Sequence, residues 1–530
     1  MAPLLDAGPG SAPKYVPQVL IIGAGSRGNA YAQAIDKSGL GVVAAVAEPI
    51  EYKRRLLGAR HIWKGQDESS PGQEFADWRD FLTYETRRRN GSANGASSTE
   101  RIDSVFICVL DEQHVEVVTA LAPFGFHIMC EKPLATTLGD CLSMYSALLP
   151  PPGQAPSTIF GIGHVLRYSP HNMLLRQLVL EDGIVGDVLS VEHTEPVGWW
   201  HYSHSYVRGN WRKESTTAPS LLTKSCHDLD WILWMMCTPP RKSQDRAPHL
   251  PSFLSSTGSL THFRKARKPK AAGSATNCLS CPIENACLYS APKIYYDGQL
   301  AKKELEWPVN IVNPEIETCY TTNGPAAAKD LLMKSLAEDY DDSIPEAQRL
   351  SRNWFGRCVW ESDNDVCDDQ FVTITWDNQV VDTDPSYVLN AKTANFHMIA
   401  GTEKQCERRG RIYGDKGEIE YDGTTIRCYD FATDSSKEYQ PKREKGGHGG
   451  GDGGLVRQFL EAVIATEMKS MTAAEAQVRY LGCTLEECVR SHALVFAAEE
   501  ARKEKKIVDW KPWWAEKVEA ALAEAEGAIA

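Results

Sequence analysis

At 530 residues the chain exceeds what one hydrophobic core organises, so at least two domains are expected. Hydrophobic content of 42% and charged content of 24% are those of a water-soluble globular protein. A net charge of −13 offers no basic field for a nucleic acid or an anionic membrane, and no run approaches the ~18 apolar residues of a membrane span.

The first 17 residues (MAPLLDAGPGSAPKYVP) lack the basic and apolar regions of a secretory signal and read as a flexible leader. From 18 to about 165, strand-like runs alternate with helical patterns, as in a doubly wound parallel α/β sheet. Val19–Ile22 and Val42–Ala47 are expected strands flanking a helix that Asn29–Ile35 opens. Arg87–Ser98, polar and rich in Gly and Ser, reads as a surface insertion. Ser104–Leu110 is a buried strand before a helix at Glu112–Leu121. His127–Cys130 is the next strand and Thr137–Leu148 the next helix, and Ser157–Val165 follows a PPPG break.

Residues 166–530 read as one α+β domain on a largely antiparallel sheet. Helices are expected at Pro170–Leu180, Leu221–Met236, Leu455–Ala465 and Ala473–Lys505. Strands are expected at Val188–Glu195, Phe371–Trp376, Tyr387–Ala394, Glu407–Tyr413 and Gly417–Tyr421, the last two joined by a GDKG turn. The run Gly446–Gly454 (GGHGGGDGG) reads as a mobile loop whose His448 could approach a ligand.

The most specific local signal is GAGSRG after the first strand. Gly23 permits the tight turn, Gly25 lets the backbone approach a pyrophosphate, and Gly28 lets helix and strand pack closely. Ser26 and Arg27 share this loop, and the helix N-terminus behind it favours phosphate. Glu48, 20 residues after Gly28, can accept from both ribose hydroxyls and would repel a 2′-phosphate. NAD is therefore expected, with NADP as the alternative that Arg54 and Arg55 keep open.

These features, with Glu131-Lys132-Pro133, GHVLRYSP (163–170) and KSCHDLD (224–230), resemble the Gfo/Idh/MocA family of NAD(P)-dependent oxidoreductases, the glucose–fructose oxidoreductase and inositol dehydrogenase group. The resemblance implies a Rossmann domain, a substrate domain whose sheet also mediates homo-oligomerisation, and a sugar, sugar derivative or cyclic polyol as substrate. His114 and Glu131 fall where the family shows cofactor-side residues, and Lys132 where it shows its catalytic lysine. At a strand's C-terminal end, that ammonium would lie in the ligand crevice and stabilise developing alkoxide charge. His227, sharing a helix face with Asp230, Trp231 and Trp234, suits proton transfer, and Asp230 could hold its tautomer or meet the substrate. Many members carry an Asp four residues before this His, where this chain has Thr223. That leaves two readings: Lys224 beside it supplies a second cation, or proton transfer rests on Lys132 and His227 alone or is weak.

Trp199–Arg212 (WWHYSHSYVRGNWR) mixes aromatic, histidine and arginine side chains, as a sugar pocket or a subunit interface would. Trp211 and Arg167 are the candidate substrate contacts drawn from here and from GHVLRYSP. Cys278, Cys281 and Cys287 could hold a structural zinc if a fourth ligand, such as Cys319 or a His, arrived from elsewhere. Three free thiols in a reducing cytoplasm are the favoured reading. An NAD(P)-dependent oxidoreductase is the leading function. A redox-assisted NAD-dependent glycoside hydrolase and a non-catalytic dinucleotide-sensing regulator of the same fold are the alternatives.

Overall fold

A computed structural model describes residues 15–66, 68–91, 101–151, 153–238, 247–381, 384–442 and 447–529. The expected leader thus lies almost wholly outside the described residues, as does most of the Arg87–Ser98 insertion.

The first sheet contains β1 (Gln18–Ile22), β2 (Val42–Ala47), β3 (Glu74–Phe75), β4 (Ser104–Ile107), β5 (His127–Cys130) and β6 (Phe160–Ile162). All pairings are parallel, in the order β3-β2-β1-β4-β5-β6. The order reverses at β1/β4, so a crevice opens beyond the C-terminal ends of those strands, where such sheets take their ligands. Residues on both faces of β1 are buried: Val19 and Ile21 join one cluster, Leu20 and Ile22 another. That explains why its sequence is an unbroken apolar run.

The helix Gly451–Glu467 belongs to this domain's core although it lies far along the chain. Leu455, Val456, Phe459 and Leu460 pack with Val19, Ile21 and Tyr31, and Phe459 meets Phe106 edge-on at 5.3 Å. Its glycines are part of that contact. A Cβ on Gly451 would sit 2.3 Å from the Val165 carbonyl oxygen, and one on Gly454 2.3 Å from that of Tyr168. The run expected as a loop therefore becomes helical at Gly451, because small residues let this helix approach the 165–168 turn.

The second sheet has nine strands: β7 (Val188–Pro196), β8 (Phe253–Ser259), β9 (Asp369–Trp376), β12 (Lys392–Ile399), β13 (Arg409–Gly414), β14 (Gly417–Tyr421), β15 (Ile426–Asp430), β16 (Ser435–Tyr439) and β17 (Val508–Asp509). Only β7 and β12 pair in parallel, so the domain is α+β as expected. The segment expected as one strand at Tyr387–Ala394 is divided. Its first part ends β11 (Asp384–Leu389), which pairs with β10 (Gln379–Val381) as a separate hairpin, and its second opens β12. The expected helix Ala473–Lys505 is likewise broken at Gly482, whose φ is 57°.

Against the inner face of this sheet lies the helix Ser220–Met236, buried along all 17 residues. A helix buried all round must pair every charge it carries. The partners of Lys224, His227, Asp228 and Asp230 define the site.

Candidate active site

The glycine loop has the shape a dinucleotide needs. Gly23 has φ +95°, and a Cβ there would lie 2.5 Å from the Cys108 carbonyl oxygen; one on Gly28 would lie 2.0 Å from the carbonyl oxygen of Gly23. Gly25, by contrast, would place a Cβ in open space. No side chain caps the helix Ser26–Ser38, and the buried Ser26 hydroxyl has no partner. Free N–H groups, an unpaired hydroxyl and an open approach fit a pyrophosphate. Glu48 accepts hydrogen bonds from the N–H groups of Ala24 (2.8 Å) and Ile50 (2.9 Å), which aim its carboxylate at the loop and leave each oxygen a further lone pair. Arg54 is committed to Glu74 at 2.7 Å, and Arg55 lies over Trp63.

Beyond β5, Glu131 fastens the crevice. It accepts from Arg27 Nε (2.6 Å), Tyr31 Oη (2.5 Å) and the Lys132 backbone N–H (3.0 Å). Burial opposes its charge, yet Arg27, Tyr31 and Lys132 hold its carboxyl below the ordinary value. Arg27 also pairs with Asp452 at 2.7 Å, and Asp452 lies 3.4 Å from His448. The glycine loop, the Glu131-Lys132 turn and the start of the helix Gly451–Glu467 are thus tied together by charge. His114 contributes to the same turn, its Nδ1 donating to the Pro133 carbonyl at 2.7 Å behind the cis Lys132–Pro133 bond.

The Lys132 ammonium donates to the backbone carbonyl of Thr223 and stands 5.8 Å from the Trp211 ring. Trp211 in turn donates to Asp111 at 2.8 Å. Where the family pattern has an acid, this chain therefore meets Lys132 with a main-chain oxygen. One helical turn on, His227 Nε2 lies 2.7 Å from Arg408 Nη2 and 3.3 Å from Asp228. A guanidinium has only donors, so Nε2 must be the acceptor and Nδ1 carries the hydrogen. That Nδ1 is buried with no partner. Burial, with the charges of Arg408 and Lys132 against Asp228's opposing pull, holds His227 neutral well below its ordinary pKa. The His448 ring stands 5.9 Å from that of His227.

Around this centre the charges pair closely. Arg408 grips Asp228 (2.9 and 3.1 Å) and touches Glu195 at 2.6 Å; Asp228 also takes His193 at 3.1 Å. Burial opposes the Asp228 charge, but Arg408 holds its carboxyl well below the carboxylate range. Lys224 is engaged by Glu195 at 3.2 Å and Cys406 at 2.9 Å, so the expected second cation is neutralised within the protein. Arg408, Asp228, Glu195 and Cys406 carried no sequence signal. They lie on a helix turn, a strand and a loop that meet only through the β7–β13 and β7–β12 pairings.

Two expected substrate contacts are not brought to this centre. Arg167 and Asp230 bind each other through two 2.8 Å hydrogen bonds, with His164 3.1 Å from Asp230, and all three are buried. Asp230 therefore does not hold the His227 tautomer; Arg408 does. The helix carries the two acids to different neighbours because consecutive side chains diverge by about 100°. In Trp199–Arg212, Tyr202, Tyr206, Arg208 and Arg212 are buried in the core, and Trp211 alone meets Lys132.

Residues 18–149 match the family model for the oxidoreductase family with an NAD-binding Rossmann fold, GFO_IDH_MocA. The N-terminal domain is thus similar to the NAD-binding domain of Gfo/Idh/MocA oxidoreductases. Its chain is 28% identical over 141 residues to the 2,7-anhydro-N-acetylneuraminate hydratase of Escherichia coli (strain K12), 27% of this chain and 35% of the hydratase. It is 27% identical over 161 residues to the levoglucosan dehydrogenase of Pseudarthrobacter phenanthrenivorans, 29% of this chain and 40% of that one. The chain thus spans well under half the length of these curated relatives. The whole fold is nonetheless shared. A levoglucosan dehydrogenase in complex with NADH and levoglucosan superposes with TM-score 0.55 at 14% identity, covering 94% of this chain and all of the other. An inositol dehydrogenase homolog complexed with NAD⁺ from Azotobacter vinelandii gives 0.58 at 13% identity over 94% and 98%.

Proposed function

We propose that this Gfo/Idh/MocA protein is an NAD-dependent oxidoreductase acting on a secondary alcohol of a sugar, sugar derivative or cyclic polyol. The observation that carries the reading is the convergence of Lys132 and the unpaired Nδ1–H of His227 beside a glycine loop shaped for a dinucleotide. Glu48 would hold the ribose hydroxyls, Gly25 and Ser26 the pyrophosphate. Engagement of Arg54 by Glu74 leaves that guanidinium no free face for a 2′-phosphate, favouring NAD over NADP. Bound NAD supplies the hydride acceptor. Lys132, as the free amine, takes the hydroxyl proton on oxidation and, as the ammonium, returns it on reduction, while neutral His227 donates from Nδ1 to the same oxygen and orients it. Arg408, by occupying Nε2, keeps His227 a donor rather than a base. Glu131, Arg27 and His114 position the lysine turn, and Trp211 lines it. Arg167 and Asp230 are assigned to the scaffold.

The similarity to a hydratase supports a second reading, in which the cofactor is reduced and reoxidised within one turnover. NAD reduction should be followed across sugars, uronic acids, anhydrosugars and inositols, with substrate loss measured in parallel. Net NADH formation supports the dehydrogenase; substrate loss without it supports the second reading. Lys132→Met should lower kcat at least 100-fold and leave NADH affinity within twofold. A Lys132→Met enzyme that turns over normally would refute the assignment, and one inactive wild type that binds NADH would favour a regulator.

The outer face of the nine-stranded sheet exposes Phe371, which supports a homo-oligomer formed through it. None of the fifteen cysteines is in a disulfide, which suits a reducing cytoplasm. Among the described residues no helix is long and apolar enough to cross a membrane.

A further inference from the structure

The three cysteines of the 278–287 loop are joined by a fourth, from a place the sequence did not indicate. Cys278, Cys281, Cys287 and Cys358 line one small cavity of about 20 Å³, whose walls include Arg208 and Trp360. Backbone register brings Cys358 there. Asn277 and Arg357 form an antiparallel bridge, the Cys278 N–H donates to Gly356 at 2.8 Å, and the Cys358 N–H donates to Thr276 at 2.8 Å. Short turns fold the other two inward, with Cys281 N–H donating to Cys278 (3.2 Å) and Cys287 N–H to Glu284 (3.0 Å). Cys319 does not line the cavity; it sits on the helix Ile316–Ala337, half-buried against the apolar cluster that Cys278 also joins.

The charge in this cavity is unbalanced without an occupant. Arg208 is 1% exposed, and its guanidinium donates to the carbonyls of Arg357 (2.7 Å) and Tyr289 (2.8 Å) and to Cys278 Sγ (3.4 Å). Its Nη1 has no partner, and among the described residues no carboxylate lies within ion-pair distance of it. A buried guanidinium needs an anion. Four thiolates around a divalent ion, or around a cluster, carry net negative charge that Arg208 would offset.

We propose that Cys278, Cys281, Cys287 and Cys358 are the thiolate ligands of one structural metal centre, a zinc ion or an iron–sulfur cluster. No histidine or carboxylate replaces a thiolate, and all-cysteine sets are used by both. The water-sized cavity suits a single ion, whereas the sulfur spacing suits a cluster. Zinc–sulfur bonds of about 2.3 Å set four sulfurs roughly 3.8 Å apart. Among the described residues, however, only His164, Cys226 and His492 bring three ligand atoms within 4.8 Å of one another. The four sulfurs ring their cavity more widely than a lone zinc requires. The His164 trio carries no comparable site, because His492 Nε2 already accepts from the Leu134 N–H at 2.8 Å. Binding of zinc, or transfer of a preassembled cluster, releases four thiol protons and changes no oxidation state, and the centre staples the 278–290 loop to the 354–360 segment.

The test uses the full chain, produced with both iron and zinc supplied and purified without oxygen. Iron, zinc and acid-labile sulfide are then measured. About one zinc per chain without sulfide, or iron and sulfide on the order of four each with a broad band near 400 nm, is expected, and the assay tells the two centres apart. Neither metal, with no uptake on anaerobic reconstitution, would overturn the site. Cys358→Ser should lower metal content at least fivefold and Cys319→Ser should leave it unchanged; equal losses would refute the ligand set. Cys281→Ser, at a partly exposed position, repeats the test where the fold is least disturbed, with circular dichroism checking that each variant is folded.

Discussion

Arg408 bears more of the site than any residue legible beforehand. It neutralises Asp228 and Glu195, both fully buried, and sets the His227 tautomer. Removing one partner of such a network strands the other charge, so Arg408→Met should cost about 3–5 kcal/mol in a denaturant titration. An unchanged midpoint would show the pairs to be unformed. Asp230→Asn should likewise destabilise, by about 3 kcal/mol through the stranded Arg167, while NADH affinity stays within twofold. A selective rise in substrate KM would instead restore Asp230 to the pocket. The positions of the glycines, Glu48 and Lys132 were readable because each is fixed by local backbone or by a strand end. The partners of His227 were not, since Arg408 reaches it across 181 residues of chain.

At the scale of elements, the parallel strands could be read because burial on both faces makes them unbroken apolar runs. The helix Gly451–Glu467 was readable only from Leu455 onward. Glycine carries low helix propensity, and only the approach to Val165 and Tyr168 explains its use in the first turn. Gly451→Ala should therefore weaken the docking of this helix despite its better propensity, and with it the Asp452–Arg27 link to the glycine loop. Hydrogen exchange in residues 451–460 should rise and NADH affinity fall at least fivefold; protection equal to the wild type would contradict this packing. The Tyr387–Ala394 strand was misjudged for a different reason, as alternation persists through a turn that only pairing partners reveal.

Across the whole molecule, the two-domain α/β plus α+β plan was legible from the change of pattern after residue 166. The return of the 451–467 helix to the first domain was not, because it depends on contacts between distant segments. The molecule also buries histidines that cannot charge without loss. His227 is held well below its ordinary pKa by burial, and burial lowers His204 and His492 to about 3. Their pKa values are depressed in the folded state, so their contribution is complete above the unfolded value of about 6.5 and lost as pH falls through it. Each would cost up to about 1.4 kcal/mol per pH unit. His164 is raised by Asp230 and opposes this only above its unfolded value. The melting temperature should drop clearly between pH 7 and pH 5.5, and a flat profile would contradict the burial of these rings.

The most direct measurement is a crystal structure of the protein with bound NADH. The nicotinamide should lie in the crevice beyond β4 and β5, its C4 facing the Lys132 ammonium and the Nδ1 edge of His227. A nicotinamide ring directed away from both groups, or a dinucleotide held elsewhere, would contradict the proposed chemistry.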